Sequence, residues 1–313
     1  MTKPHILQLG GYPDWDQVPL EASFALHRYD HATDKAAFLA QVGPLIRGIA
    51  TNGGLGASAD IIAACPNLEI IAVYGVGYDA VDLAACKARG IHVTNTPDVL
   101  TGDVADLAVG MMLAQARAMV AAETWVRSGD WAAKGGFPLT RRVHGMRAGI
   151  LGLGRIGHAV AKRLAAFEMD IAYSARSAKA TDWEFIADPV ALAERSDVLF
   201  VTLDASAATR HIVNAEVLRA LGPQGMVINV SRAANIDEEA LLQALASGTL
   251  GSAALDVFEG EPALNPRFLS LPNVLLQPHI GSGTVETRKA MGQMMRDNLS
   301  AHFAGLPLLT PVL

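Results

Sequence analysis

The chain has 313 residues, of which 51% are hydrophobic and 18% are charged, and its formal net charge is −6. This composition excludes a disordered chain, and the length favours two folded domains over one. The basic residues form no run longer than the pair Arg141-Arg142, so we do not expect a nucleic-acid-binding surface.

Cysteines, histidines and the N-terminus point to a cytoplasmic protein without a metal site. Cys65 and Cys86 lack metal-ligand and C-x-x-C spacing, which favours buried thiols in a reducing compartment. The nine histidines form no H-E-x-x-H array, so we predict no bound metal. No signal-peptide pattern opens the chain, and no unbroken apolar stretch reaches bilayer length. We therefore expect no membrane partner.

In the first third of the chain, short apolar runs alternate with helical patterns. Five strands are predicted, at Ile6–Leu9, Ala25–Tyr29, Gly48–Thr51, Ile70–Val73 and His92–Asn95. Helical patterns fall between them, at Lys35–Val42, Ala57–Cys65 and Asp79–Arg89. This alternation predicts a parallel sheet covered by helices on both faces. A long Ala/Met/Leu-rich segment follows, and it predicts one largely buried helix over Asp103–Met119.

The alternation then starts again and supplies a second sheet. Six strands are predicted, at Ala148–Leu151, Ile171–Ser174, Val198–Leu203, Met226–Val230, Ser252–Val257 and Val274–Gln277. Helices are predicted at Ile156–Phe167, Val190–Glu194, Ala215–Leu221, Asp237–Ala246 and Val285–Phe303. We expect the last helix to return to the first domain. The predicted domains are therefore residues 1–98 with 285–313, and residues 99–284.

A glycine-rich turn opens the second half of the chain. The run Gly152-Leu153-Gly154-Arg155-Ile156-Gly157 follows an apolar strand and begins a helix, the context of a dinucleotide-binding fingerprint. Gly152 permits the tight turn, Gly154 allows a pyrophosphate to approach, and Gly157 allows close helix–strand packing. The first helical amides, at Arg155 and Ile156, would face the anion. A glycine turn without a ligand is the alternative.

The end of the next strand favours NADPH over NADH. NAD-binding sites usually carry an acidic residue there, but this strand continues into Ser174, Arg176 and Ser177. An arginine presents a planar fork of donors to a phosphate, and the serines add hydroxyl groups. A carboxylate about 4 Å from a phosphate charge would cost roughly 4 kcal/mol at an effective dielectric constant near 20. The alternative is that Arg176 is merely solvated.

Three later segments place polar residues after apolar strands. Arg232 follows the Met226–Val230 run, Glu261 follows Ser252–Val257, and His279 follows Val274–Gln277. Ligands of open parallel sheets bind outside the carboxyl ends of the strands. We therefore expect these three side chains at a ligand site.

Taken together, these motifs resemble the D-2-hydroxyacid dehydrogenase family. The similarity spans nearly the whole chain and includes Tyr74–Asp79, Thr94–Pro97 and the segment from Gly281 to Arg288. Among its members, the NADPH-dependent glyoxylate/hydroxypyruvate and hydroxyphenylpyruvate reductases are most similar. The resemblance implies an α/β protein with two doubly wound parallel-sheet domains, in which a Rossmann cofactor domain is inserted into a flavodoxin-like substrate domain. It also implies a homodimer and a D-2-hydroxy acid product.

The resemblance also implies roles for individual residues. His279 would donate a proton to the carbonyl oxygen of a 2-oxo acid, since the pKa of an imidazole lies near neutral pH. Glu261 would accept a hydrogen bond from the other ring nitrogen, and Arg232 would bind the substrate carboxylate. The backbone amides of Val76 and Gly77 would bind the same carboxylate.

Two further residues receive roles by resemblance. Asp256 is expected to contribute to the cofactor site. Trp131 matches a family tryptophan that reaches toward the substrate pocket of a neighbouring subunit, although ordinary packing explains it equally well.

Alternative functions stay open at this stage. Phosphoglycerate dehydrogenase would need the acidic residue that is missing after the second strand, and formate dehydrogenase pairs its histidine with glutamine rather than Glu261. A regulator that binds NADPH without catalysis would not need a proton donor. Among substrates, small 2-oxo acids such as glyoxylate and hydroxypyruvate come first, and aromatic 2-oxo acids come second.

Overall fold

The computed structural model describes residues 3–313, which divide into two compact units. Unit 1 contains the chain up to Leu100 together with Thr284–Leu313, and unit 2 is Thr101–Gly283. Unit 1 is thus discontinuous in sequence. The division lies within two residues of the boundaries expected from the sequence, at 98/99 and 284/285.

Unit 1 is built on a five-stranded parallel sheet. Its strands are β1 (His5–Gln8), β2 (Ala25–Arg28), β3 (Gly48–Asn52), β4 (Ile70–Tyr74) and β5 (His92–Thr94). Its helices are α1 (Asp14–Ser23), α2 (Lys35–Val42), α3 (Ala59–Ala64), α4 (Leu83–Arg89) and the C-terminal helix α12 (Val285–Phe303). The strand order β2-β1-β3-β4-β5 is that of a flavodoxin-like sheet.

Unit 2 is built on a seven-stranded sheet, also parallel throughout. Its strands are β6 (Arg147–Leu151), β7 (Asp170–Ser174), β8 (Glu184–Phe185), β9 (Val198–Val201), β10 (Met226–Asn229), β11 (Ser252–Leu255) and β12 (Val274–Leu276). Its helices are α5 (Thr101–Ala116), α6 (Met119–Arg127), α7 (Asp130–Lys134), α8 (Arg155–Ala165), α9 (Pro189–Arg195), α10 (Ala215–Leu221) and α11 (Glu238–Ser247).

The strand order of unit 2 creates a switch point in the middle of the sheet. The order is β12-β11-β10-β9-β6-β7-β8, so the chain builds outward in one direction from β6 and in the other from β9. Ligands of doubly wound sheets bind at such a point, outside the carboxyl ends of the strands. The glycine turn follows β6, and the residues singled out in the late segments follow β10, β11 and β12.

The central strands of both sheets are buried on their two faces, which explains their continuous apolar runs. Every residue of β4 in unit 1 and of β10 in unit 2 is buried. Parallel strands covered by helices on both sides need apolar residues at successive positions. This is why the strands of both units could be located from composition and length.

Several elements differ from the sequence prediction, among them the unpredicted helices α6 and α7. The predicted helix over Asp103–Met119 ends at Ala116, and α6 begins after Ala118, whose φ of 46° is left-handed. Neither glycine nor proline marks this break, so the sequence carried no signal for it. Helix α1 was missed because it contains Pro19, which usually ends a helix. Strand β8 has two exposed residues and no apolar pattern, and it raises the strand count of unit 2 from six to seven.

No single helix within residues 3–313 is long and apolar enough to cross a bilayer. Helices α5 and α6 reach the required length and composition only as a pair, and that pair is bent by 58°. The same part of the chain contains no cluster of three or more histidine, cysteine or acidic side chains that could hold a metal ion.

Candidate active site

The carboxyl edge of the unit 2 sheet gathers the residues expected to perform chemistry. Arg232, Glu261 and His279 follow β10, β11 and β12, which are adjacent strands in the sheet. Because the strands are parallel, the three loops leave from the same edge. The glycine turn leaves from this edge too, two strands away from β10.

The glycine turn after β6 is tightly built. Gly152 has a φ of 98°, and its amide donates to the Ser174 carbonyl oxygen at 2.9 Å. A Cβ on Gly157 would lie 2.1 Å from the Gly152 carbonyl oxygen, so a side chain there would push α8 away from the turn. Gly152 and Gly157 therefore have the roles expected from the sequence, the turn and the close helix–strand approach.

Gly154 and the start of α8 fit a dinucleotide phosphate. A Cβ on Gly154 would meet no protein atom within 4 Å, so the turn faces open space at this position. No side chain caps α8 or places an acid in its first turn, whereas Asp188, Asn214 and Asp237 cap α9, α10 and α11. The first amides of α8, from Arg155 onward, thus begin a helix without an acidic residue in its own first turn, which suits the binding of an anion.

The residues at the end of β7 differ in exposure. Arg176 and Ser177 are exposed, and no ion pair described for residues 3–313 involves Arg176. Ser174 is buried, and its hydroxyl donates to the Ala187 carbonyl oxygen at 3.0 Å. The contacts of Ser174, Arg176 and Ser177 with a cofactor phosphate stay predictions.

His279 and Glu261 form a hydrogen-bonded pair. The Nδ1 atom of His279 lies 2.6 Å from Oε2 of Glu261, and the side chains are 45% and 32% exposed. An ionised carboxylate can only accept a hydrogen bond, so Nδ1 carries a hydrogen and donates a hydrogen bond to Glu261. The second oxygen, Oε1, accepts from the Phe258 amide at 2.7 Å. Glu261 is therefore held in place, and Nε2 of His279 is the nitrogen left to act on a ligand.

Asp256 holds the His279 loop from behind. Its two carboxylate oxygens accept from the amides of Ile280 and Gly281, at 2.7 and 2.8 Å. His279 itself has a φ of 54°, a left-handed conformation that costs a non-glycine residue roughly 1–2 kcal/mol. Two charge-assisted hydrogen bonds directly after the strained residue offset this cost.

The surroundings of Asp256 show a structural contribution of this residue. Burial raises the pKa of Asp256, although the Ile280 and Gly281 amides and the nearby His279 oppose that shift, and the side chain is 1% exposed. Asp256 therefore fixes the backbone that carries His279. Its expected contribution to the cofactor site stays a prediction.

Arg232 leaves the sheet from a rigid loop. Buried Asn229 donates to the Arg232 carbonyl oxygen at 3.1 Å and accepts from the Ser231 amide and hydroxyl at 3.0 and 2.7 Å. Asn235, also buried, donates to the Ser231 hydroxyl at 3.0 Å. The guanidinium is half-buried and donates from Nη1 to the Ser231 carbonyl oxygen at 2.9 Å. A buried network of this kind restricts the positions that the arginine can take.

In unit 1, the loop after β4 offers two backbone amides. Val76 and Gly77 are half-buried, and neither amide has an acceptor among residues 3–313. The loop is held from the other side, because the Asn95 side chain donates to the Val76 carbonyl oxygen and the Thr96 amide donates to the Gly75 carbonyl oxygen, both at 2.9 Å. Two backbone amides without an acceptor, held in a fixed loop, can donate hydrogen bonds to an anion such as a carboxylate. Their role in carboxylate binding stays a prediction.

Trp131 lies on α7 and is 62% exposed. An exposed indole agrees with an interface or with surface packing. Its predicted approach to a neighbouring subunit therefore stays a prediction.

Several residues that shape the site carried no recognisable sequence signal. They are Asn229, Ser231 and Asn235 behind Arg232, and Asn95 behind the Val76 loop. Each is a polar residue at or just after a strand end, where turn residues are common anyway. Only their buried partners distinguish them from ordinary turn residues.

Comparison with known proteins matches this site to one family. Residues 109–281 match the family model described as D-isomer specific 2-hydroxyacid dehydrogenase, NAD binding domain. A hydroxyphenylpyruvate reductase from Plectranthus scutellarioides is 48% identical over 94% of this chain and 94% of its own.

Two solved structures extend the comparison to the whole fold. A 2-hydroxyacid dehydrogenase from Ketogulonicigenium vulgare Y25 is 70% identical with a TM-score of 0.94, covering 100% of this chain and 99% of that one. An NADPH-dependent glyoxylate/hydroxypyruvate reductase from Sinorhizobium meliloti, in complex with NADP and malonate, is 42% identical with a TM-score of 0.92, covering 99% and 97%.

The chain belongs to the D-isomer specific 2-hydroxyacid dehydrogenase family. It is therefore an oxidoreductase with a nicotinamide-dinucleotide-binding domain, and the predicted fold of two parallel-sheet domains is confirmed. A regulator without catalytic function, the alternative left open by the sequence, is excluded by this assignment.

Proposed function

We propose that this enzyme uses NADPH to reduce a small 2-oxo acid to the D-2-hydroxy acid, with His279 as the proton donor. One observation carries the proposal: Arg232 and the Glu261–His279 pair share the sheet edge from which the glycine turn leaves. An anion-binding group, a proton donor and a dinucleotide-binding turn are the parts that this reduction needs. The names of the similar reductases support the same reaction class.

His279 acts on the carbonyl oxygen of the substrate. When bound, the reduced nicotinamide supplies a hydride, which forms the new C–H bond at C2 while the carbonyl π electrons move to oxygen. Nε2 of the protonated imidazole donates its proton to that oxygen, so the product is the 2-hydroxy acid. Glu261, with Oε2 2.6 Å from Nδ1, fixes the orientation of the ring. Solvent can reprotonate the half-exposed ring afterwards.

Arg232 binds the substrate carboxylate and stabilises the charge that develops on oxygen. Its guanidinium offers parallel N–H donors that match a carboxylate, and it keeps its charge at all working pH values. The buried network around Asn229 and Ser231 keeps the loop from moving when the anion arrives. This positioning lowers the reorganisation that the reaction requires.

Arg176 is the proposed reason for an NADPH preference. It follows β7, where NAD-dependent enzymes usually carry an acidic residue, and it is exposed next to Ser177. A guanidinium at this position attracts the 2′-phosphate that distinguishes NADPH from NADH. The Sinorhizobium meliloti reductase, which is described as NADPH-dependent, supports this choice. NADH is expected to bind more weakly.

Replacing Arg232 by alanine should raise KM for the 2-oxo acid and also lower kcat. A hydrogen bond to a charged group contributes about 1.5–3 kcal/mol of binding free energy. We therefore expect kcat/KM to fall by roughly 10- to 150-fold. Steady-state kinetics with NADPH measure both constants. R219A, which removes an exposed arginine from the last turn of α10, is the matched control. Wild-type kinetics in R232A would exclude Arg232 from the site.

A panel of 2-oxo acids tests the function itself. Purified enzyme is mixed with NADPH and glyoxylate, hydroxypyruvate or 4-hydroxyphenylpyruvate, and the loss of nicotinamide absorbance is followed. We expect the two small acids to have the higher kcat/KM. The relative from Plectranthus scutellarioides favours an aromatic 2-oxo acid as the second candidate, and preference for 4-hydroxyphenylpyruvate would select it. No turnover with any 2-oxo acid would contradict the proposed reaction.

A cytoplasmic location and a homodimer stay predictions. Both come from sequence features and family resemblance, and neither is needed for the chemistry assigned to unit 2.

A further inference from the structure

The loop that carries Glu261 is anchored at a second carboxylate outside the reacting groups. Glu238, the first residue of α11, has an oxygen, Oε2, that accepts from the amide of Glu259 at 3.1 Å. Glu259 lies two residues before Glu261 and directly follows Phe258, whose amide donates to the Glu261 carboxylate. One amide of this short segment thus binds Glu261, and the next binds Glu238.

Asn265, at the far end of the same loop, also influences Glu238. Its side chain lowers the pKa of the Glu238 carboxyl group. Burial raises the pKa of Glu238 and the negative charges of Glu259 and Glu239 raise it further, while the donors from Glu259 and Asn265 oppose the shift. The protein therefore keeps a half-buried acid between two like charges.

We propose that Glu238 is a positioning residue for the Glu261–His279 pair. By accepting a hydrogen bond from the Glu259 amide, it keeps Glu261 within hydrogen-bonding distance of Nδ1 of His279. Glu238 contacts neither His279 nor, in this proposal, the substrate, and it acts only through Glu261. The inference rests on the proposed function of His279 as the proton donor.

The consequence of losing Glu238 follows from the geometry. Without its carboxylate, the Glu259 amide loses its acceptor, and the loop can shift. A displacement of about 1 Å is enough to lengthen the 2.6 Å contact between Glu261 and His279 well beyond a hydrogen bond. The imidazole is then less well oriented, and its protonated form is less favoured. Activity should fall most at high pH, where protonation of the ring is limiting.

The neighbouring residue, Glu239, provides a matched control. It is also a glutamate in the first turn of α11, and it is exposed less than one turn away. Its Oε2 pairs with Nη1 of Arg267 at 2.6 Å and its Oε1 accepts from Gln243, so it too makes side-chain contacts at the start of α11. Arg267 lies beyond the Glu261 loop. Removing Glu239 therefore removes the same charge without releasing Glu261.

Other charged groups near this loop must be considered in a pH experiment. Glu259 lies between Glu238 and His211, and its Oε1 atom is 3.9 Å from Nε2 of His211. Asp256 faces the His279 and Glu261 charges from β11, and Glu239 lies beside Glu238 on α11. None of these groups is altered in an E238A or E238Q variant. A change in the pH dependence of kcat/KM is therefore assigned to movement of the loop that carries Glu261 rather than to a new titrating group.

The test compares E238A, E238Q and E239A with the wild type. The pH dependence of kcat/KM is measured with NADPH and a 2-oxo acid that can saturate the enzyme. The titration midpoint of the His279 imidazole is measured by NMR without substrate. For E238A we expect the basic limb and the NMR midpoint to move to lower pH, with kcat/KM reduced about tenfold or more above neutrality. E238Q keeps a carbonyl acceptor and should recover most of the loss. E239A should match the wild type.

Each outcome decides between roles. A wild-type profile in E238A, or an equal change in E239A, would overturn the proposal. If E238A does not fold, the same measurements are made on E238Q. An inactive E238Q whose pH profile has the wild-type shape and whose His279 NMR midpoint is unchanged would also overturn the proposal for Glu238. A wild-type rate in an H279A variant would contradict the proposed function instead. In that case, the His279 NMR midpoint in the wild type and in E238A would still report whether Glu238 positions the Glu261–His279 pair.

Discussion

Replacing His279 by alanine should lower kcat by about 10²–10⁴-fold and leave NADPH binding nearly unchanged. The loss is expected because Nε2 of His279 is the proton donor to the developing alkoxide. Alanine removes the whole imidazole, including Nδ1 that contacts Glu261, so no proton donor stays at this position. Binding of NADPH should persist because the glycine turn and Arg176 lie on other loops of unit 2. Single-turnover rates and a fluorescence titration with NADPH separate the two effects.

A histidine from the opposite edge of the sheet serves as the control. His144 is exposed and lies just before β6, at the amino end of the strands, so H144A should behave like the wild type. If H279A kept more than about a tenth of the wild-type kcat, His279 would not be the proton donor. If H279A lost NADPH affinity to the same degree as turnover, its effect would be structural.

Replacing Arg176 by aspartate should weaken NADPH binding by about 10²-fold or more and change NADH binding much less. The substitution exchanges an attraction for a repulsion at the 2′-phosphate. NADH lacks this phosphate and should bind with similar or better affinity, because a carboxylate at the end of the second strand accepts from the ribose hydroxyls. Dissociation constants for both cofactors, measured by fluorescence at two salt concentrations, give the comparison.

The salt dependence and a second variant identify the cause. Arg176 is exposed, so NADPH binding to the wild type should weaken at high ionic strength. In R176D the salt dependence should have the opposite sign, because salt screens a repulsion between the aspartate and the 2′-phosphate. K162D makes the same change of charge in the last turn of α8, away from the glycine turn, and should leave the preference intact. An equal loss of NADPH and NADH affinity in R176D would show that Arg176 does not read the 2′-phosphate.

The sequence was sufficient to predict the residues at the sheet edge, for a simple physical reason. Arg232, Glu261 and His279 each follow an apolar strand, and parallel strands bring their carboxyl ends together. Strand locations and the direction of the sheet were therefore enough to place these side chains in one region. The glycine turn was readable for the same reason, because Gly152 and Gly157 are required by close backbone contacts.

The groups that hold these residues were not readable, because each depends on a partner distant in the chain. Asp256 binds the amides of Ile280 and Gly281, which lie 24 and 25 residues later. Glu238 binds the amide of Glu259, 21 residues later. Sequence patterns report the period of an element and its capping residues, but not which side chain meets which amide across strands. The bond of the Ser174 hydroxyl to the Ala187 carbonyl oxygen was not readable for the same reason.

The most direct measurement is a crystal structure of the enzyme with NADP and an unreactive 2-oxo acid analogue such as oxamate. The proposed mechanism predicts the nicotinamide C4 atom about 3–3.5 Å from the carbonyl carbon of the ligand. It also predicts the carbonyl oxygen within hydrogen-bonding distance of Nε2 of His279 and the carboxylate on the guanidinium of Arg232. A ligand bound elsewhere, or an adenosine 2′-phosphate directed away from Arg176, would contradict it.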